Sequence, residues 1–128
     1  MEKRTHALTN ERLCGKATEL APGFARVELD VSPDMCVDER NLVHGGFVFG
    51  LADYAAMLAV NEPTVVLGAA EVRFLKPVTC PSQLVAEAKV GEVKGKKQLV
   101  SVIVASGNTQ VFVGTFTCFV LERHVLDN

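Results

Sequence analysis

The chain has no tryptophan and one tyrosine, and its longest apolar stretch, Phe47 to Val60, is broken by Asp53. That stretch is shorter than the roughly 20 apolar residues needed to cross a bilayer, so it reads as a buried core element. There is no excess of positive charge either. Thirteen Lys and Arg against fifteen Asp and Glu leave a formal charge of −2, which removes the electrostatic footprint of a dedicated nucleic-acid binder. The four cysteines, Cys14, Cys36, Cys80 and Cys118, stand singly, with no C-x-x-C pair and no Cys/His cluster at metal-ligand spacing, so no metal site is expected. No apolar run follows the polar start Met1-Glu2-Lys3-Arg4, so a secretory signal is not expected; a cytoplasmic location with reduced thiols is. Motifs for nucleotide cofactors, G-x-G-x-x-G after a strand or a P-loop, are missing too, and no bound cofactor is expected.

What is present is a one-domain length of 128 residues, 48% of them hydrophobic, enough to bury a core. Residues 1–12 are polar and read as a frayed arm or a short first helix. Residues 13–121 read as the folded domain and 122–128 as a tail. Gly15–Leu20 and Phe24–Val31 are strand-like runs around Ala21-Pro22-Gly23, a hairpin turn. In the second run Ala25, Val27, Leu29 and Val31 alternate with Phe24, Arg26, Glu28 and Asp30, the period of a half-buried strand. A loop carrying Asp38 and Asn41 follows.

Gly46 to Val60 is rich in Ala, Leu and Met and apolar nearly all round, which predicts a helix enclosed by other elements and stopped by Asn61-Glu62-Pro63. Four β-rich runs, near 64–76, 83–93, 97–106 and 109–120, then follow, separated by turn residues that predict a meander of antiparallel neighbours. The economical packing is α+β: one curved antiparallel sheet of five to six strands wrapped around one long central helix. Phe47, Phe49, Tyr54, Met57 and Phe74 are expected to line the core.

Asp53 is the only charged side chain in that helix. A carboxylate in apolar surroundings must be paired, open to a cleft, or used. Gly46 lies two turns before it, on one face with Phe49 and Met57. The N-terminus of a helix offers unsatisfied N–H groups and partial positive charge, suited to a carbonyl oxygen or oxyanion, and paired glycines allow close approach to the backbone. A thioester carbonyl on the Gly45 and Gly46 amides, with Asp53 activating water or attacking directly, makes a coherent hydrolytic site, in which His44 orients substrate or loop.

The run His44-Gly45-Gly46-x-x-Phe49-x-Leu51-x-Asp53-x-Ala55 resembles the H-G-G-x-x-F-x-L-x-D-x-A segment of hotdog-fold acyl-CoA thioesterases of the phenylacetyl-CoA type. The resemblance implies the hotdog fold, hydrolysis of an acyl-CoA to free acid and coenzyme A, Asp53 as nucleophile or general base, and the Gly46 amide polarising the carbonyl. It also implies a homodimer with the two sheets joined edge to edge and sites shared between subunits, often within a homotetramer. Many of these enzymes place Asn six residues before the His; here Asp38 stands there, with Asn41 nearby. Gly68 to Val78 is similar to a strand in the effector domain of the malonyl-CoA-responsive repressor of bacterial lipid synthesis, which binds acyl-CoA without hydrolysing it. The chain has no room for that repressor's helix-turn-helix. A non-catalytic acyl-CoA sensor is therefore the alternative. Arg73 and Lys76, with Lys94, Lys96 and Lys97, are candidates for the phosphates of coenzyme A, although the last three read most simply as a solvated hairpin.

Overall fold

The computed structural model describes residues Met1–Asp127; the last residue of the expected tail, Asn128, lies outside them. The elements run α1 (Glu11–Cys14), β1 (Lys16–Ala21), β2 (Phe24–Asp30), a 3-10 turn at Pro33–Met35, α2 (Gly45–Val60), β3 (Val65–Phe74), β4 (Gln83–Lys94), β5 (Lys97–Ser106), β6 (Thr109–Val120) and a 3-10 turn at Val125–Asp127. All pairings are antiparallel and the six strands form one sheet in the order β1-β2-β4-β5-β6-β3. This is the expected hotdog: an α+β fold in which a curved sheet holds one main helix.

Alternation along the strands decides which face meets the helix. Ala25, Val27 and Leu29 of β2, Leu84, Ala86 and Ala88 of β4, Val100, Val102 and Val104 of β5, and Phe112, Phe116 and Cys118 of β6 are buried. They close on Leu51, Ala52, Ala55, Ala56 and Leu58 of α2. The alanines keep that helix slim enough to lie close to the sheet. Each buried Val, Leu or Phe removed from water contributes about 1.5–3 kcal/mol, so the helix is held by packing on nearly all sides. None of the helices among the described residues is long and apolar enough to cross a membrane.

The expected four-strand meander is correct for β4-β5-β6 and wrong for β3. The turns at Gly95 (φ 61°) and Gly107 (φ 59°) take the left-handed conformation that tight hairpins need. By contrast, the link from β3 to β4 contains Pro77 and Pro81, which have no N–H to give to a hairpin ladder. It is strapped instead to the loop before α2: Val43 N–H donates to the Val78 carbonyl at 2.9 Å and Cys80 N–H to the Asn41 carbonyl at 3.0 Å. β3 therefore lies on the far side of β6, with Val72 opposite Gly114 and Glu71 opposite Thr115, and forms one edge of the sheet.

Of the two expectations for residues 1–12, a frayed arm or a short first helix, a short helix does form, α1 from Glu11, and the residues before it are anchored rather than frayed. Asn61 ends α2 in the left-handed region (φ 52°) and is buried. Its Oδ1 accepts from Arg4 N–H at 2.7 Å and its Nδ2 donates to the Glu2 carbonyl at 2.8 Å, while Lys3 Nζ donates to the Tyr54 hydroxyl at 3.0 Å. A residue that finishes a helix thus also anchors the first residues of the chain. Tyr54 and Met57 are core residues as expected, but Phe74 is 56% exposed, because it stands at the open edge and meets Phe112 from outside at 5.1 Å between ring centres.

Candidate active site

Helix α2 carries two chemically distinct places. At its start, His44 is the N-cap: its Nδ1 accepts from Gly46 N–H at 2.7 Å. A Cβ on Gly46 would come within 2.9 Å of that nitrogen, and one on Gly45 within 3.2 Å of the Phe74 ring. The close approach that glycine permits is used here by the chain's own His44 and Phe74, and the Gly46 amide is held by an imidazole.

Two turns on, Asp53 faces a cavity of about 420 Å³. Its Oδ1 is buried without a hydrogen-bond partner, and burial raises its pKa from 3.8 to about 6. Its charge is also felt by two thiols packed near it. Cys118 is pushed up to about 12 by burial first and by Asp53 second, and Cys14 is raised by the same two causes. Both thiols stay protonated at neutral pH and supply no countercharge. A carboxyl poised near 6 beside open space is suited to taking a proton from water or to attacking an electrophilic carbon.

The remaining walls of this cavity come from distant parts of the chain. Met57 lies one turn further along α2. Val65, Val66 and Leu67 open β3. Thr5 and His6 come from the arm, and His124 and Val125 from the tail. Of these only Met57 was a candidate from the sequence. The others carry no local motif; they reach Asp53 because Asn61 holds the arm and the end of β6 returns beside β3.

The other candidates do not line this cavity. Asp38 Oδ1 accepts from the Arg40 and Leu42 N–H groups at 3.0 and 3.2 Å, so it organises the turn in which Asn41 takes φ 64°. Asp38 also borders a smaller cavity with Arg40, Leu42, Pro77 and Thr79. Phe49 packs on Phe116, 5.5 Å between ring centres, inside an aromatic cluster with Phe112. Lys76 borders a cavity with Gly45, Val48 and Phe74 at the start of α2. Arg73 lies opposite Val113 and lines a shallow depression across β3, β5 and β6. Lys94, Lys96 and Lys97 surround the exposed β4-β5 turn, where Lys96 Nζ is 3.7 Å from Glu122. Among the described residues no three His, Cys, Asp or Glu side chains are close enough to hold a metal ion.

Comparison with known proteins adds the family. The thioesterase superfamily profile matches residues 40–113, the segment running from the loop before α2 into β6. The chain is 59% identical to an uncharacterized protein from Pyrococcus horikoshii, covering 99% of this chain and 98% of that one with a TM-score of 0.98. It is 31% identical to a mutant of the phenylacetic acid degradation protein PaaI from Thermus thermophilus, covering 87% and 96% of the two chains with a TM-score of 0.79. Among curated relatives, it is 47% identical to part of a methylthioribose-1-phosphate isomerase of Aquifex aeolicus, over 95% of this chain. It is 24% identical to the transcription factor FapR of Caldanaerobacter subterraneus, over 97% of this chain. The chain spans only 27% of the isomerase and 62% of the transcription factor. With the helix-in-sheet fold, the His44-Gly45-Gly46 cap and the profile match agreeing over the same segment, the chain belongs to the thioesterase superfamily.

Proposed function

We propose that the protein is an acyl-CoA thioesterase that hydrolyses the thioester of an acyl-CoA to a free acid and coenzyme A. The observation that carries the reading is Asp53: a half-buried carboxyl without a partner at Oδ1, raised to about 6, facing a cavity from the middle of an otherwise uncharged helix. Asp53 takes a proton from water, the resulting hydroxide attacks the thioester carbon, and the C–S bond breaks to release the coenzyme A thiolate. Direct attack by the carboxylate, giving a mixed anhydride that water then opens, uses the same residue. Either route needs only the carboxylate, water and an amide for the oxyanion; coenzyme A enters as part of the substrate.

The amide comes from Gly46, but not in the same copy of the chain. Seven residues of helix separate Gly46 from Asp53 by about 10 Å along the axis, so one carbonyl group cannot touch both. Two copies arranged antiparallel bring the Gly46 amide of one to Asp53 of the partner subunit. β3, an edge strand with one unpaired side, is where two sheets join. The reading thus includes a homodimer, with a dimer of dimers as the larger form, in the cytoplasm. The substrate carbonyl replaces His44 on the Gly46 N–H, and His44 then orients the loop that Asp38 and Asn41 shape. Lys76, beside Gly45, and Arg73 meet the phosphates of coenzyme A outside the cavity.

A second reading is an acyl-CoA-binding module without turnover. It is favoured by the longer relatives, one of them a transcription factor, in which a segment like this chain is joined to other parts. Thiol release from short, long and aryl acyl-CoAs, with binding measured in parallel, separates the two. Turnover lost in Asp53→Ala and Asp53→Asn while binding survives supports the hydrolase; tight binding without wild-type turnover overturns it in favour of the module.

A further inference from the structure

The cavity beside Asp53 has a divided lining. Met57 and the start of β3 make one part apolar, whereas Thr5, His6 and His124 make another part polar. Of these, Thr5 is buried, whereas His6 and His124 are exposed where they border the cavity. The Thr5 Oγ1 lies 2.8 Å from His6 Nδ1, which commits that ring nitrogen and leaves Nε2. The arm reaches this place because Asn61 binds Glu2 and Arg4, and His6 itself is held at φ 55°, a conformation that an unanchored chain rarely keeps. Burial of part of the ring, and then the charge of Lys3, lower the His6 pKa and so favour its neutral form. On the tail, Leu126 N–H donates to His124 Nδ1 at 3.0 Å, so a neutral His124 ring carries its proton on Nε2, as a donor. Among the described residues neither Nε2 atom has a hydrogen-bond partner. A volume of 420 Å³ corresponds to a sphere about 9 Å across, and that width sets the length of acyl group that can lie within the cavity from a thioester at Asp53.

We infer that this wall makes the site selective for short acyl groups carrying an oxygen acceptor, such as a hydroxyl or oxo group, away from the thioester, with His6 and His124 holding that oxygen. His6 is the specificity-determining residue of the pair, since Thr5 and the anchored arm set its ring, and Thr5 is a positioning residue. The inference deepens the thioesterase reading and rests on its placement of the acyl group beside Asp53. An imidazole N–H suits an oxygen acceptor, and a hydrocarbon chain that covers these exposed rings displaces their water without replacing its hydrogen bonds, which is how a polar site rejects an apolar analogue.

The test compares 3-hydroxybutyryl-CoA with butyryl-CoA, which differ by one hydroxyl. Dissociation constants are measured on the full chain carrying Asp53→Asn, and kcat/KM on the wild type. A preference of about tenfold or more for the hydroxylated thioester is expected in both. In His6→Asn, which keeps a residue that tolerates the left-handed backbone but shortens its reach, the ratio should fall toward one. His6→Gln, which keeps an N–H at longer reach, should recover part of it, and Thr5→Val should lose part of it, mainly through KM. A melting curve for each variant confirms that it is folded. Turnover of both thioesters with no preference, or a preference that His6→Asn leaves intact, overturns the inference while the thioesterase reading survives. Preferential binding without any wild-type turnover upholds the inference and overturns the hydrolase. Failure to bind either thioester overturns both.

Discussion

The two ends of helix α2 make an instructive contrast. At its start, the side-chain hydrogen bonds are local: His44 caps the Gly46 amide two residues away, and the turn before it is tied by the Asp38 carboxylate to N–H groups two and four residues on. From its middle to its end, Asp53 and Asn61 meet residues more than forty positions distant, the arm at Glu2 to His6 and the tail at His124. Local contacts make the first end a motif that a short stretch of sequence can carry. The second end is assembled by the whole fold, and it holds the unpartnered carboxyl. The proposed chemistry thus falls at the part of the helix whose surroundings are least local.

Removing the carboxyl is the sharpest way to probe that contrast. Asp53→Asn is expected to lower turnover of the preferred acyl-CoA by about a hundredfold or more, the usual contribution of a general base, and a thiol-release assay reads it directly. Wild-type activity should carry an acid limb near pH 6, because Asp53 must be ionised to act. A full rate in Asp53→Asn would move the chemistry elsewhere.

The next largest effect concerns how the distant walls are held. Asn61→Ala loses both arm hydrogen bonds and places alanine in the left-handed region, so a cost of about 2 kcal/mol is expected in denaturant melts. Asn61→Gly loses the same hydrogen bonds but suits the backbone, and should cost about half as much. In both variants residues 2–6 should exchange their amide hydrogens faster. Equal stability of the two variants would mean that the backbone conformation contributes nothing.

Asp53 should also weaken the fold it serves. Its pKa is raised on folding, so the folded state disfavours the charged form: the penalty is absent below about pH 4, grows as pH rises between 4 and 6, and is complete above 6. Asp53→Asn should accordingly be more stable than wild type at pH 8, by about 1–2 kcal/mol after allowance for the solvent the carboxyl still meets, and the gap should close toward pH 4. Thermal melts at the two pH values check this. The smallest effect is expected at the local end. His44→Ala removes one N-cap and should cost about 1 kcal/mol by the same melts, with little change in hydrogen exchange of the arm.

Much of the molecule was legible before its structure. The strand boundaries, the enclosed helix and the isolation of Asp53 follow from periodicity and composition, because a residue's burial on a strand or helix repeats at a spacing that the sequence displays. The position of β3 was not, since a turn-like link says how long a connection is but not which edge it reaches. The reason for Gly45 and Gly46 was only half legible: their need for close approach is visible, but the groups that approach in this chain are His44 and Phe74. His6 and His124 were missed altogether, as neither stands at any motif spacing from Asp53.

By itself, then, the sequence determined the elements, their inward faces and the one helix carboxyl that needs a reason, all consequences of interactions within a few residues. Only the tertiary structure decided that β3 crosses to the far edge of the sheet, that the arm is anchored rather than frayed, and that two histidines from opposite ends of the chain share a cavity with Asp53. The physical reason is that these outcomes depend on which distant surfaces satisfy one another's buried polar and apolar groups, and no local spacing records that choice.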